Sequence, residues 1–213
     1  MNEINKAIIK QEYVLKKSLK DDQRSKVLLI ELNGKEYVYK IPLEKNKRVW
    51  QRILSFFRGS ESKREYKNYV KIIENGFKGP IPVAYYEKKK FGIVLDSFLV
   101  TEFLSGKEAN IENLEKVAKE LEKIHNAGYL HGDSQLANFM IFKDEVYLID
   151  AKLSKNIYGD IGSKYEFIYL EESCHREINI YDKKTLSYKI AKSFNLYLHW
   201  YGRVKKKLRG KDN

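Results

Sequence analysis

Two acids and an amide in the stretch LHGDSQLANFMIFKDEVYLID, residues 130–150, have a spacing that could serve chemistry: Asp133, Asn138 and Asp150. Asn138 follows Asp133 after five residues, and Asp150 ends the apolar run that comes next. Roles in turns or caps between short strands would explain each of these side chains taken singly. Taken together, they supply the carboxylate and the oxygen ligands that a Mg²⁺ and phosphate site requires.

The order of elements in this stretch favours phosphoryl transfer. Asp133 is predicted to lie in a loop between a helix and a strand, where its carboxylate can accept a proton from an acceptor hydroxyl. Two short strands, NFMIF and EVYLID, are predicted to be joined by Lys143-Asp144. Such a hairpin would return Asp150 to the side of Asn138, and both oxygens would then reach one cation.

The rest of the chain predicts an α+β fold in two lobes within a single domain. Residues 1–103 are predicted to form a small antiparallel-sheet N-lobe with one or two helices, and a hinge is expected at 102–106. Residues 104–213 are predicted to form a mainly helical C-lobe that contains the hairpin above. Asn33-Gly34, between two β-rich runs, predicts a type I′ turn. Helices are predicted at 47–59, 61–75 and 111–126.

Composition limits the compartment and the partners. The 213 residues carry a net charge of +12, yet residues 101–188 hold 16 acidic side chains against 11 basic ones. An acidic middle region suits divalent cations better than direct phosphate contact. One cysteine, Cys174, fits a reducing compartment. We expect a cytoplasmic protein, since no signal peptide or membrane span is apparent.

The motif HGD-x4-N followed by Ile-Asp resembles the catalytic loop and metal-binding Asp of the protein-kinase-like superfamily. The short chain and its layout are most similar to the lipopolysaccharide core heptose(II) kinase family, of the RfaY/WaaY type. The resemblance extends over roughly residues 25–200 and is specific only at the motifs. It implies a two-lobed protein-kinase-like fold, an ATP- and Mg²⁺-dependent reaction, and a sugar acceptor.

The resemblance also implies a role for individual residues. Asp133 would be the catalytic base, and Asn138 and Asp150 would hold Mg²⁺. Lys40 would contact the phosphates of ATP, with Glu65 as its partner on a helix. Backbone groups would bind adenine at two positions, Glu102 and Leu104.

Lys40 has support of its own from the sequence. It lies on a strand with alternating side chains, 25 residues before Glu65 on a predicted helix, so packing can bring the two together. Glu61 is the weaker alternative, because it is closer to the start of that helix. His131 is predicted to orient the loop from a semi-buried position.

Some positions depart from the family pattern. The segment that would cover the nucleotide, residues 17–26, contains no glycine, so Lys or Arg side chains rather than backbone groups are expected to hold phosphate. Gln135 replaces a cation found in many kinases. Ala151-Lys152 follows Asp150 where Phe-Gly is usual. All three prolines precede residue 83, so no Ala-Pro-Glu segment for peptide docking follows Asp150.

These features predict a kinase that transfers the γ-phosphate of ATP to a sugar hydroxyl, with a heptose of lipopolysaccharide core as the acceptor that the resemblance implies. Two alternatives stay open: an atypical, RIO-like protein serine kinase, and a catalytically weak pseudokinase scaffold at the membrane. The missing glycines and Gln135 favour the scaffold, whereas Lys40, Asp133, Asn138 and Asp150 oppose it.

The C-terminal segment, residues 193–213, alternates aromatic residues with a cluster of lysines and arginines. A packed helix with a solvated basic end would explain it. The functional alternative is peripheral contact with the anionic cytoplasmic face of the inner membrane. No nucleic-acid partner is expected, because no DNA- or RNA-binding motif accompanies the charge.

Overall fold

The computed structural model describes residues 3–44 and 58–208. These residues form two compact units. The N-terminal unit comprises the residues up to 106 together with Tyr147–Ile149, and the C-terminal unit comprises residues 107–146 and those from 150 onward. The helix predicted at 47–59 lies almost entirely outside the described residues.

A five-stranded antiparallel sheet forms most of the N-terminal unit. Its strand order is β1-β2-β3-β5-β4. Asn33 and Gly34 both have positive φ, 52° and 76°, which confirms the type I′ turn between β2 and β3. The strands are β1 Val14–Asp21, β2 Lys26–Leu32, β3 Lys35–Ile41, β4 Pro82–Lys90 and β5 Ile93–Glu102.

One face of this sheet forms the core of the N-terminal unit. Buried side chains alternate along β2, at Leu28, Ile30 and Leu32, and Phe98 and Val100 of β5 join the same cluster. The α1 helix, Glu3–Ile9, adds Ile8 to this core. Burial of these apolar side chains fixes the register of the sheet, since a slip of one residue would turn them to solvent.

The α2 helix, Glu61–Glu74, was predicted within one residue of its observed end. Ser60 caps it by accepting a hydrogen bond from the Lys63 N–H at 3.0 Å. Tyr69 and Ile72 are buried on one face of the helix. That packing fixes the rotation of α2 and therefore the direction in which Glu65 points.

Three helices dominate the C-terminal unit. They are α3 Leu114–Asn126, α4 Asp160–Cys174 and α5 Leu186–Leu208. The predicted start of α3 at residue 111 is instead a turn of 3-10 helix, Ile111–Asn113, because Asn110 and Asn113 cap each other there. The predicted buried face of α3 is confirmed, with Val117, Ala118, Leu121 and Ile124 fully buried.

Short strands position the loop that begins at His131. They are β6 Lys107–Glu108, β7 Tyr129–Leu130, β8 Phe139–Phe142, β9 Glu145–Leu148 and β10 Ser154–Lys155. Lys143 and Asp144 have φ of 50° and 65°, so the predicted tight turn between β8 and β9 is confirmed. Asn138 was predicted to begin β8 but instead ends a 3-10 turn, Leu136–Asn138. Its N–H donates to the Gln135 carbonyl, which keeps Asn138 out of the strand.

An antiparallel sheet followed by a mainly helical part is the α+β layout that the sequence predicts. Among the residues that the structure describes, no helix combines the length and the apolar character needed to cross a membrane.

Candidate active site

Lys40 and Glu65 meet within the N-terminal unit. Lys40 Nζ lies 2.8 Å from Glu65 Oε1, and the side chains are only 24% and 14% exposed. Partial burial strengthens such a charge-assisted hydrogen bond relative to a surface pair. The alternative partner, Glu61, forms an ion pair with Arg64 of the same helix. The structure therefore selects Glu65 over Glu61 as the partner of Lys40.

Glu102 and Leu104 lie at the end of β5 and directly after it. The Glu102 N–H donates to the Ile81 carbonyl at 2.9 Å, and the Glu102 carboxylate forms an ion pair with Lys35. Within the described ranges, the Leu104 N–H donates to no backbone carbonyl. Of the N–H groups of Glu102 and Leu104, only that of Leu104 is available to donate a hydrogen bond to adenine.

The segment predicted to cover the nucleotide, residues 17–26, is the tip of the β1–β2 hairpin rather than an open loop. Asp22 Oδ1 accepts hydrogen bonds from the N–H groups of Arg24 at 2.8 Å and Ser25 at 2.7 Å. The bond from Ser25 lowers the pKa of the Asp22 carboxyl. A carboxylate of the chain therefore occupies the amides that a glycine-rich turn would offer to phosphate.

The loop 131–138 brings two predicted residues together. The Asn138 side-chain amide donates from Nδ2 to the Asp133 backbone carbonyl at 2.9 Å. This bond uses the nitrogen of the amide and leaves Oδ1 for another partner. Both side chains are partly exposed. Asn138 therefore fixes the backbone of the candidate base while presenting an oxygen of its own.

Asp150 follows β9 in a conformation that is uncommon for residues other than glycine. Its φ is 53°, and its side chain is exposed. The Lys152 N–H donates to the His131 carbonyl at 2.8 Å, which holds the segment after Asp150 alongside the loop 131–138. Strained backbone of this kind persists where the surrounding structure enforces it, often at functional sites.

The donor chemistry of Asn138 and Asp150 suits Mg²⁺. This ion is commonly held by one or two carboxylates together with substrate phosphates and waters. In the ranges 3–44 and 58–208, no three His, Cys, Asp or Glu side chains converge as a metal cluster. An amide oxygen with one carboxylate therefore fits an ion shared with a phosphate ligand better than a closed structural metal site.

Sequence reasoning missed Glu166, although it holds the loop in place. Its carboxylate, on α4 and 5% exposed, accepts hydrogen bonds from the N–H groups of His131 at 2.8 Å and Gly132 at 2.6 Å. His125 Nε2 lies 3.0 Å from the same carboxylate. These contacts fix the two residues that precede Asp133. Because the partners lie more than 30 residues apart, no local sequence pattern could have revealed them.

His131 is fully buried rather than semi-buried as predicted. Burial is the main reason that its pKa falls to about 4, and the nearby Glu166 carboxylate opposes the shift only in part. The ring is therefore neutral near pH 7. Nδ1 accepts a long hydrogen bond of 3.4 Å from the Asp133 N–H, which agrees with the predicted role in orienting the loop.

The backbone conformation and the crowding at Gly132 explain why a glycine lies between His131 and Asp133. Its φ is +88°, and a Cβ at this position would lie 3.1 Å from the Lys152 Cβ. A side chain would thus meet both backbone strain and crowding. Lys152 Nζ reaches the Gly132 carbonyl at 3.3 Å.

Gln135 is held against α4. Its side-chain nitrogen donates to the Tyr169 hydroxyl, so the amide is directed into the C-terminal unit. In place of the usual cation, this position has a hydrogen bond that anchors the loop 131–138 to the helix.

The chain matches one family of known proteins over most of its length. A family model described as "Lipopolysaccharide core biosynthesis protein (WaaY)" matches residues 1–160, well over half of the chain. The chain belongs to the WaaY family. This confirms the family that the motif HGD-x4-N suggested.

A curated relative within the family gives the same assignment. The protein is 27% identical over 155 residues to the lipopolysaccharide core heptose(II) kinase WaaY of Escherichia coli, and the match covers 70% of this chain and 67% of the relative. Asp133, Asn138 and Asp150 fall within the part of the chain that the WaaY family model matches.

Solved structures establish the fold. The chain is similar to WaaP in complex with acyl carrier protein, with a TM-score of 0.53 and 17% identity over 91% of this chain and 89% of WaaP. A variant of the PknI kinase domain of Mycobacterium tuberculosis matches with a TM-score of 0.50 and 14% identity, over 76% of this chain and 74% of that domain. The predicted protein-kinase-like fold is confirmed.

Proposed function

We propose that this protein is an ATP-dependent kinase that phosphorylates a heptose hydroxyl of lipopolysaccharide core. The observation that carries the proposal is the intact loop 131–138 in a member of the WaaY family. Asn138 bonds the Asp133 carbonyl, and Glu166 bonds the N–H groups of His131 and Gly132. Heptose as the acceptor is suggested by the E. coli relative.

Asp133 acts as the base in this proposal. Its carboxylate accepts the proton of the acceptor hydroxyl as that oxygen bonds to the γ-phosphorus of ATP. The bond from the γ-phosphorus to the β,γ-bridging oxygen breaks, and ADP leaves with that oxygen. The partly exposed position of Asp133 admits an acceptor from solvent.

Each part of the nucleotide has its own partners in this proposal. Lys40, oriented by Glu65, contacts the phosphates, and the Glu102 carbonyl and the Leu104 N–H bind adenine. Asn138 Oδ1 and the Asp150 carboxylate would hold Mg²⁺. When bound, the ion neutralises charge on the phosphate oxygens and fixes their orientation.

The identity of the acceptor separates this proposal from a peptide kinase. No proline follows residue 82, so an Ala-Pro-Glu segment for peptide docking is lacking. The segment between Asp150 and the start of α4 at Asp160 is also short. Both features favour a small or glycolipid acceptor over a protein serine.

We also propose that the end of α5 touches an anionic membrane surface. Tyr197, Tyr201 and Lys205 recur at four-residue spacing and so share one face, and the two tyrosines are 54% and 49% exposed. Lys206 and Lys207 lie on other sides of the helix and add positive charge at its C-terminal end. We call these five residues the α5 basic end. Its aromatic and cationic character complements the interface of anionic lipids, where such an acceptor would be anchored.

Use of ATP and the single cysteine favour the cytoplasmic face of the inner membrane. The proposal is tested by mass analysis of lipopolysaccharide core from a strain that lacks this protein. We expect the loss of one phosphate on a heptose and its return when the intact gene is supplied. An unchanged phosphate pattern would contradict the heptose acceptor.

A further inference from the structure

A cavity of about 720 Å³ opens beside Asp133 within the C-terminal unit. Its walls come from the loop 131–138, the segment after Asp150, and the facing sides of α4 and α5. This volume lies within the range of small-molecule sites. The roles proposed above for the nucleotide and Mg²⁺ do not use this cavity.

Aromatic rings form one wall of the cavity. Tyr165 and Tyr169 of α4 are stacked with ring centres 6.3 Å apart, and Phe194 of α5 lies 5.8 Å from Tyr165. Ile190, one turn before Phe194, adds an aliphatic side chain. Although both α5 residues line a concave site, Ile190 is 43% and Phe194 is 52% exposed. The Tyr165 and Phe194 rings are inclined by 59°, so that they form an angled apolar surface against which the C–H face of a sugar ring can pack.

Few polar groups complement that wall. Asp133 lies at one side, and Lys152 Nζ contacts only the Gly132 carbonyl among the described residues. The Tyr165 hydroxyl makes no hydrogen bond within the same residues. A small number of polar groups over an apolar surface is typical of sites that orient a polyhydroxylated ligand.

We propose that this cavity is the acceptor-sugar site. It binds one heptose ring of the core against Phe194 and Tyr165, and this contact places a ring hydroxyl at Asp133. The inference rests on the proposed kinase function. It adds which residues recognise the acceptor, and it assigns that recognition to α4 and α5.

The test uses the full-length protein and deacylated, heptose-containing core oligosaccharide, so that contact with a membrane plays no part. Phe194→Ala removes one ring of the wall, and Ile190→Trp fills the cavity. Trp200→Ala is the matched control, since Trp200 is 53% exposed on the same helix and does not line the cavity. Binding is measured by calorimetry without ATP, and turnover is measured separately.

We expect the dissociation constant for the oligosaccharide to rise about tenfold in Phe194→Ala, as for the loss of one aromatic contact, and more in Ile190→Trp. The KM for ATP should stay constant in both variants, and Trp200→Ala should match the wild type. Unchanged oligosaccharide binding in both cavity variants would overturn the acceptor site. No binding by the wild type would also overturn it. Binding that depends on Phe194 without phosphate transfer would contradict the kinase function alone.

Discussion

At the scale of single residues, hydrogen bonds made by neighbouring residues fix the position of the candidate base, Asp133. Asn138 donates a hydrogen bond to the backbone carbonyl of Asp133. Gly132 supplies the positive φ that the turn just before Asp133 requires. The Glu166 carboxylate accepts from two consecutive N–H groups of the loop 131–138. The chemistry of Asp133 therefore depends on residues of α4 that are distant in the sequence.

Replacement of Glu166 tests this dependence. Glu166→Gln keeps the shape but leaves one amide nitrogen facing N–H groups that the carboxylate satisfied, which costs about 1–3 kcal/mol of folding stability. We expect kcat to fall at least tenfold, because His131 and Gly132 no longer fix the position of Asp133. Steady-state kinetics and urea unfolding measure the two effects.

A control for Glu166→Gln lies on the same helix. Glu172→Gln removes a carboxylate that bonds His199 and Asn195 of α5 and makes no bond to the loop. This variant should lose stability without the same loss of kcat. Equal kcat losses in the two variants would contradict a role specific to the loop.

His131 predicts a pH dependence of folding. Burial lowers its pKa to about 4 in the folded protein, whereas the ordinary value is 6.5. Below pH 6.5 the unfolded chain therefore binds more protons, and stability falls as the pH is lowered toward 4. Between pH 7 and pH 5 this group should remove on the order of 1–2 kcal/mol.

The measurement is urea unfolding in EDTA at pH 7, 6 and 5, for the wild type and His131→Asn. The variant should lose less stability over this interval than the wild type. Parallel pH profiles for the two proteins would show that His131 does not titrate in this way.

At the scale of elements, α4 and α5 each serve two purposes. α4 supports the loop 131–138 through Glu166 and also lines the cavity with Tyr165 and Tyr169. α5 packs on α4 through buried Ala191 and Asn195, and it also lines the cavity with Ile190 and Phe194. The two helices thus connect the position of the base to the recognition of the acceptor.

Neutralising the α5 basic end tests membrane contact. The combined change of Lys205, Lys206 and Lys207 to Gln removes three charges, each worth about 1 kcal/mol near anionic lipid. Partitioning onto phosphatidylglycerol vesicles at low salt should fall on the order of 100-fold, as measured by sedimentation. Neutral phosphatidylcholine vesicles are the control. Equal binding of the wild type and the variant to anionic vesicles would contradict the proposed surface.

Local patterns predicted some elements well and others poorly, for physical reasons. Asn33-Gly34 and the buried face of α3 follow from turn chemistry and helical periodicity, which depend on neighbouring residues. β1 was missed because all eight of its side chains are exposed, so that no alternation of apolar and polar residues marks it. The spacing HGD-x4-N predicted the loop, but only tertiary contacts reveal Glu166.

At the scale of the whole molecule, the chain combines a protein-kinase-like fold with membership of the WaaY family. The Lys40–Glu65 ion pair of 2.8 Å opposes the pseudokinase alternative, because an inactive scaffold does not need it. The glycine-poor hairpin at Asp22 and the bond from Gln135 to Tyr169 show how the departures from the family pattern are accommodated. Both replace a phosphate contact with an internal hydrogen bond.

The central claim is that Asp133 is the base in phosphate transfer to a core heptose. The most direct measurement compares the wild type with Asp133→Asn, using Mg-ATP and deacylated core oligosaccharide, by mass spectrometry of the product. The wild type should add one phosphate to a heptose. Asp133→Asn should still bind Mg-ATP in a thermal-shift assay but transfer phosphate about 10²–10⁴-fold more slowly. Transfer at the wild-type rate by Asp133→Asn would contradict the account.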